Sequence, residues 1–352
     1  MVALSEKFAG GMPVELGRIE RELKTLWEGA SGMKTRASLI NLAVYSDDPD
    51  SLTRNTEWIS KITEEHACRA IVIGAEPEAD ETGVQAWISA HCHVTRTGAK
   101  QVCSEQLSFL LSGESARQLP SIVFSHLDSD LPFYLWWQEE FPEPIDPQLW
   151  AWVDRVIYDS NSWGDFGSQI RLVETAQAEA KQRIVLCDLN WNRLLHLRIA
   201  IAQFFDHPSS HFYFKQIERV EIEHAPEYRR TALLLAGWLA AQLRWQLEVG
   251  TKNGRIQFRD SSKRKIKVSL TEKAGEPISR CVLSCGKVEF RVAHSPGTDL
   301  LNVCSGAPGE EPAHQFMPAG DSDVVSLVGE ELMRGGPHRV YLRTVGRVRE
   351  IL

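Results

Sequence analysis

The sequence predicts an α/β protein of two domains: an N-terminal α/β sandwich with a mostly parallel sheet, residues 1–168, and a C-terminal α+β domain, residues 169–352. The second is expected to end in short antiparallel strands. Three observations carry this reading. The chain has 352 residues, more than one hydrophobic core usually serves. Near-continuous apolar runs flank a helical segment early in the chain, the pattern of parallel strands joined by a crossover. Beyond Arg255 the apolar runs shorten and are divided by Gly, Pro and Asp, as in antiparallel sheets.

The elements follow in order. Between Val14 and Trp27, Leu16, Ile19, Leu23 and Leu26 recur at helical spacing opposite charged residues, which predicts an amphipathic helix. Ala37–Tyr45 is apolar enough for a buried strand, Asp48-Pro-Asp-Ser offers a cap, and a helix over about 52–65 leads into a second apolar strand, Cys68–Gly74. Gln85–Val94 reads as a third strand. Gln101–Leu111 and Leu119–Leu127 read as helical, Pro132–Trp137 as a buried strand, Leu149–Val153 as a helical turn and Arg155–Asp159 as the last strand of this half. Turn chemistry over Ser160–Asp165 precedes a helix from about Gln169 to Ala180. The segment from Ile184 to Leu189 leads into a helix over Leu194–Phe205, and a strand over Ile217–His224 and a helix over Thr231–Leu247 come next. Strands are then expected at 255–259, 265–270, 279–284, 287–293 and 300–304, followed by a helix over Ser322–Met333 and a basic tail, Arg339–Arg349.

A hydrophobic content of 43%, a charged content of 24% and a net charge of -8 describe a chain that packs. Its one basic run is Lys263-Arg-Lys-Ile-Lys267, so neither nucleic acid nor an anionic membrane is the expected partner. The first residues lack a long apolar core, which gives a cytoplasmic expectation. The seven cysteines are irregularly spaced, and mostly reduced, buried thiols are the default.

Candidate chemistry is sparse. His91-Cys-His93 would set two imidazoles on one face of a strand, but no second cluster supplies the remaining ligands of a zinc site. A hydrogen-bonded or exposed histidine pair is preferred, and no metal is expected. Ser125-His126 with Asp128 and Asp130 lacks a nucleophile elbow, so helix capping by either aspartate is the simpler reading. The glycine after the second strand stands in Ile-Gly74-Ala-Glu-Pro77, without the G-x-G-x-x-G of a dinucleotide site, and there is no P-loop. No cofactor and no catalytic residues are therefore assigned.

Five of the eleven tryptophans fall between Trp136 and Trp163. Large aromatic rings anchor interfaces as well as cores, and strand alternation sends Trp136 and Trp137 to opposite faces. One is expected in the core and the other against a helix layer or a partner.

Two segments carry a resemblance. Asp130-Leu-Pro-Phe-Tyr-Leu-Trp-Trp137 and Asp188-Leu-Asn-Trp-Asn-Arg-Leu194, with Arg155-Val-Ile-Tyr-Asp-Ser160 between them, resemble the glucose-6-phosphate dehydrogenase assembly protein family (OpcA) in residues and in order. The resemblance implies a non-catalytic assembly factor or allosteric activator of glucose-6-phosphate dehydrogenase in the oxidative pentose phosphate pathway. The expected partner-contact residues are Asp128, Asp130, Leu131, Pro132, Trp136, Trp137, Trp163, Trp191 and Arg193. The alternative is a sugar-phosphate-binding enzyme with an unrecognised site.

Overall fold

A computed structural model describes residues 10–28, 34–94, 101–143, 150–179, 184–206, 211–252, 254–306, 313–336 and 338–352. The fold is α/β with two mixed sheets. The chain divides into two compact units: Met1–Tyr158 with Ala180–Cys187 and Val328–Gly336, and Asp159–Glu179 with Asp188–Leu327 and Pro337–Leu352. The chain therefore passes from one unit to the other several times.

In the first unit the strands are β1 (Met12–Val14), β2 (Lys34–Arg36), β3 (Ile40–Ser46), β4 (Cys68–Glu76), β5 (Gly83–Val94), β6 (Gln101–Ser112), β7 (Phe133–Trp137), β8 (Arg155–Tyr158) and β9 (Val185–Asp188). Their helices are α1 (Ile19–Glu28), α2 (Ser51–Ile62) and α3 (Leu119–Ser125). The sheet order is β1-β5-β6-β4-β3-β7-β8-β9, with β2 on β6. The pairs β6/β4, β4/β3, β3/β7 and β7/β8 are parallel, whereas β5 runs antiparallel to β1 and β6. The path β6-β4-β3-β7-β8-β9 is the doubly wound order 3-2-1-4-5-6, whose switch point lies between β3 and β7.

The expected helix over Gln101–Leu111 is strand β6. Its polar residues Ser104, Glu105, Gln106 and Ser108 are as buried as Leu107 and Phe109, so the apolar alternation that marks a strand is missing. Partners make this burial tolerable. Arg36 and Arg69 pair with Glu105 at 3.1 and 3.4 Å, and Gln106 donates to Thr56 and Ser108.

Cys92 and Cys103 stand opposite each other on β5 and β6 and form a disulfide, which corrects the expectation of reduced thiols for this pair. Cys68, Cys187, Cys281 and Cys285 are free and buried. The flanking imidazoles bond to separate partners, His91 to Gln106 and His93 to Thr63.

In the second unit α4 (Phe166–Glu179), α5 (Leu189–Arg193), α6 (Leu195–Gln203), α7 (Arg229–Leu243) and α9 (Arg339–Ile351) accompany the sheet β11-β12-β13-β10-β14-β15-β16-β17; α8 (Val324–Met333) begins here and ends in the first unit. Its strands are β10 (Ile217–His224), β11 (Gln246–Lys252), β12 (Arg255–Arg259), β13 (Lys265–Glu272), β14 (Ile278–Cys285), β15 (Val288–His294), β16 (Leu300–Gly306) and β17 (Ala313–Pro318). All neighbours are antiparallel except β10 and β13. Helix α7 packs on β10 and β13 above Val220, Ile222, Ile266 and Val268, all essentially inaccessible.

The expected helix to Leu247 stops at Leu243 because Arg244 adopts φ +56° and the chain turns into β11, a left-handed cap usually marked by glycine. The basic tail is a helix, α9, with Tyr341, Val345, Val348 and Ile351 buried at three- and four-residue spacing. Gly237 admits it: a Cβ there would meet Val348 Cγ2 at 2.6 Å.

Candidate functional site

The carboxyl ends of β3 and β7 form the crevice where a doubly wound sheet usually binds its ligand. Here the protein's own side chains bond across it. The Glu139 carboxylate accepts from Ser46 Oγ at 2.7 Å and from the Asp47 amide at 3.1 Å. Trp137 stacks on Tyr45, its register partner on β3, with ring centroids 4.2 Å apart. The turn after β3, Ser46-Asp-Asp-Pro-Asp-Ser51, has no glycine and three aspartates before α2. Burial, then Glu139, pushes Asp47 up to about 6, while burial, with Asp47 and Glu139, pushes Tyr45 up to about 12. A dinucleotide diphosphate needs backbone N–H groups on a glycine-rich turn and positive potential at the helix start. This crevice offers carboxylates instead.

The amino ends of the same strands carry the first signature. Asn41 ties its turn down, donating to the Asp128 and Leu131 carbonyls at 3.0 and 3.3 Å while its Oδ1 accepts from the Asp128 amide at 2.7 Å. Asp130 holds φ +67°, and β7 follows. Neither Asp128 nor Asp130 starts a helix, so the capping expectation is corrected; Asp128 pairs with Arg36 at 3.2 Å. Asp130 and Pro132 are exposed and Asp128 and Leu131 half-buried. Alongside, at the starts of β3 and β8, Leu39 is 71% and Trp152 67% exposed, the Trp152 ring leaning on Phe124 at 5.7 Å. Trp152 lay within the tryptophan cluster of the sequence, and only its exposure sets it apart.

The remaining expected contact residues turn inward. Trp136, Trp137, Trp163 and Trp191 are 2%, 8%, 1% and 3% exposed, and Arg193 is 8% exposed. As placed, these five expected contact residues pack within the folded chain. Both faces of a parallel strand are covered, so alternation exposes neither Trp136, which stacks on Trp58 at 5.5 Å, nor Trp137.

In the second unit the other two motif segments lock together. Asp188 caps α5 and is almost fully buried. Its Oδ1 accepts from the Ser160 and Asn190 amides at 3.0 and 2.9 Å, and its Oδ2 from Ser160 Oγ at 2.7 Å and Tyr341 OH at 3.1 Å. Burial, then Asp159, pushes this carboxyl up to about 7. Arg193 grips Asp159 with both Nη atoms, at 2.8 and 2.6 Å, a fork that lysine does not reproduce. Arg193→Lys is expected to cost about 1–2 kcal/mol in urea unfolding. These bonds hold three chain segments together, 159–160, 188–193 and the Tyr341 turn of α9.

A cavity of about 600 Å³ lies between α6, α7 and the sheet, lined by Trp238, Trp245, Phe205, Lys215, Arg244 and Asp206 among others. Arg264 on its wall is tied to Asp260 at 2.6 Å.

Two domains of the glucose-6-phosphate dehydrogenase subunit family match this chain, the N-terminal domain over residues 59–175 and the C-terminal domain over residues 184–345. The chain belongs to this family, OpcA. It is 25% identical over 315 residues to the "Putative OxPP cycle protein OpcA" of Synechocystis sp., covering 83% of this chain and 65% of that protein. It is 29% identical over 223 residues to the protein of the same name from Nostoc punctiforme, covering 60% and 46%. The matches thus span less than two thirds of either relative. Among solved structures, an aldose-aldose oxidoreductase from Caulobacter crescentus aligns with a TM-score of 0.48 at 9% identity, covering 89% of this chain and 96% of that one. At that similarity the likeness assigns no activity.

Proposed function

We propose that this protein is a non-catalytic partner of glucose-6-phosphate dehydrogenase that supports its assembly or raises its activity in the oxidative pentose phosphate pathway. Family membership supports the partner and the pathway. The observation that carries the absence of catalysis is the crevice between β3 and β7, where a dinucleotide strand order keeps an acidic, glycine-free turn bonded to Glu139. A partner that prefers the active state of an enzyme shifts the population toward it.

The contact surface we assign is the turn before β7, with exposed Asp130 and Pro132 and half-buried Asp128 and Leu131, flanked by Leu39 and Trp152. An exposed tryptophan with an apolar neighbour is the kind of anchor on which interface energy concentrates. Trp152→Ala is expected to melt within a degree or two of the parent yet lose about 2 kcal/mol or more of affinity for the dehydrogenase by calorimetry.

The functional test is a titration of the cognate dehydrogenase at subsaturating glucose 6-phosphate. Its rate should rise about fivefold or more, a coupling of about 1 kcal/mol. The protein alone should reduce no NADP⁺; turnover by it alone, or a flat titration, would count against this function.

A further inference from the structure

The sheet of the second unit has a second face, away from α7. Strand alternation places Ile256, Phe258, Ile266 and Val268 beneath the helix and Arg255, Arg259, Lys265, Lys267 and Arg219 on the other side. The pairing register makes these five neighbours. Lys265 stands directly opposite Arg259 on β12, and Lys267 directly opposite Arg219 on β10. Like charges at opposed strand positions, with Cβ atoms about 4.5–5.5 Å apart, weaken a sheet. Two such pairs on one face are a cost to folding, offset only in part by Glu248 beside Arg259 and Glu221 beside Arg219.

The carboxylates nearby, Glu248 and Glu221, are fewer than the five cations and neutralise the patch only in part. Glu248 is held by Arg259 and Gln257, and Glu221 lies 3.6 Å from Arg219. Arg255, Lys265 and Lys267 are exposed and have no ion pair among the described residues. The chain as a whole carries a net charge of -8, so this face stands out against its own background. That background also repels a polyanion such as nucleic acid. A two-fold contact with a second copy centred here would set the five cations against themselves.

We propose that this face, centred on Arg255, Lys265 and Lys267, docks an acidic surface of the partner protein. The proposal rests on the assembly reading and takes the dehydrogenase as the occupant. Complementary charge steers association and fixes orientation, and its effect falls as salt rises.

The test compares wild-type protein, the double variant Lys265→Glu/Lys267→Glu and the control Lys61→Glu, a charge reversal at an exposed position of α2. Each is titrated into purified dehydrogenase at 50 and 300 mM KCl with isothermal calorimetry. The double variant replaces both like-charge pairs with opposite-charge pairs, so its melting temperature should hold or rise while its affinity falls about thirtyfold at 50 mM salt and much less at 300 mM. Lys61→Glu should bind as wild type does. Unchanged affinity in the double variant, or an equal loss in Lys61→Glu, would overturn the docking face and leave the assembly reading standing. Wild-type protein that does not bind at all would remove both. A salt-sensitive self-association of wild-type protein, absent in the double variant, would assign the face to a second copy and also overturn the proposal.

Discussion

Asp188→Ala is expected to lower the unfolding free energy by about 3–5 kcal/mol, the range for removing one partner from a buried charged network. Four donors converge on this carboxyl, from Ser160 twice, Asn190 and Tyr341, and alanine leaves them without an acceptor in a buried site. Asp188→Asn is the contrasting variant. Its amide oxygen keeps the two backbone bonds, and its NH2 faces hydroxyls of Ser160 and Tyr341 that accept as well as donate.

The two variants also separate by pH. Unfolded, the carboxyl titrates near its ordinary 3.8; folded, it is pushed up to about 7, by burial first and by Asp159 second. The folded state holds the proton more tightly. The contribution of this group to stability is therefore fully present below about pH 4, declines as pH rises toward 7 and is level above. The melting temperature of Asp188→Asn, measured relative to wild type, should climb across that window and then plateau. A difference independent of pH would mean that Asp188 titrates as an ordinary carboxylate in the folded protein.

Trp136→Ala and Trp137→Ala should each destabilise by about 3–5 kcal/mol, as large-to-small core changes do. Strand alternation alone suggests that one of the pair is dispensable for folding. Instead Trp136 packs on Trp58 and Trp137 on Tyr45, both rings buried. Urea unfolding of the two variants should give matching losses, and the fraction of each that remains folded should bind the dehydrogenase with parental affinity. A variant that keeps its stability but loses binding would return that tryptophan to the contact surface.

What was legible in the sequence follows from burial physics. Strands β3 and β4 and helix α2 were readable because a strand covered on both faces is apolar throughout and the helix keeps its 3.6-residue period. Strand β6 was not, because Glu105 and Gln106 are buried against Arg36, Arg69 and Thr56, partners distant in sequence. The end of α7 was hidden because Arg244 takes a cap position where glycine is the usual signal. The motif segments were visible as words, but their inward packing was not: Ser160 meets Asp188 and Asp159 meets Arg193 only after folding. The short edge strands β1, β2 and β17 are largely exposed and carry little apolar pattern.

The most direct measurement of the central claim is sedimentation velocity of this protein with purified cognate glucose-6-phosphate dehydrogenase, in the absence of substrate and nucleotide. A saturable boundary heavier than either component alone is predicted, because association rests on protein surfaces and requires no ligand in the crevice between β3 and β7. Two independently sedimenting species at every ratio, together with tight NADP⁺ binding by this protein alone, would contradict the account.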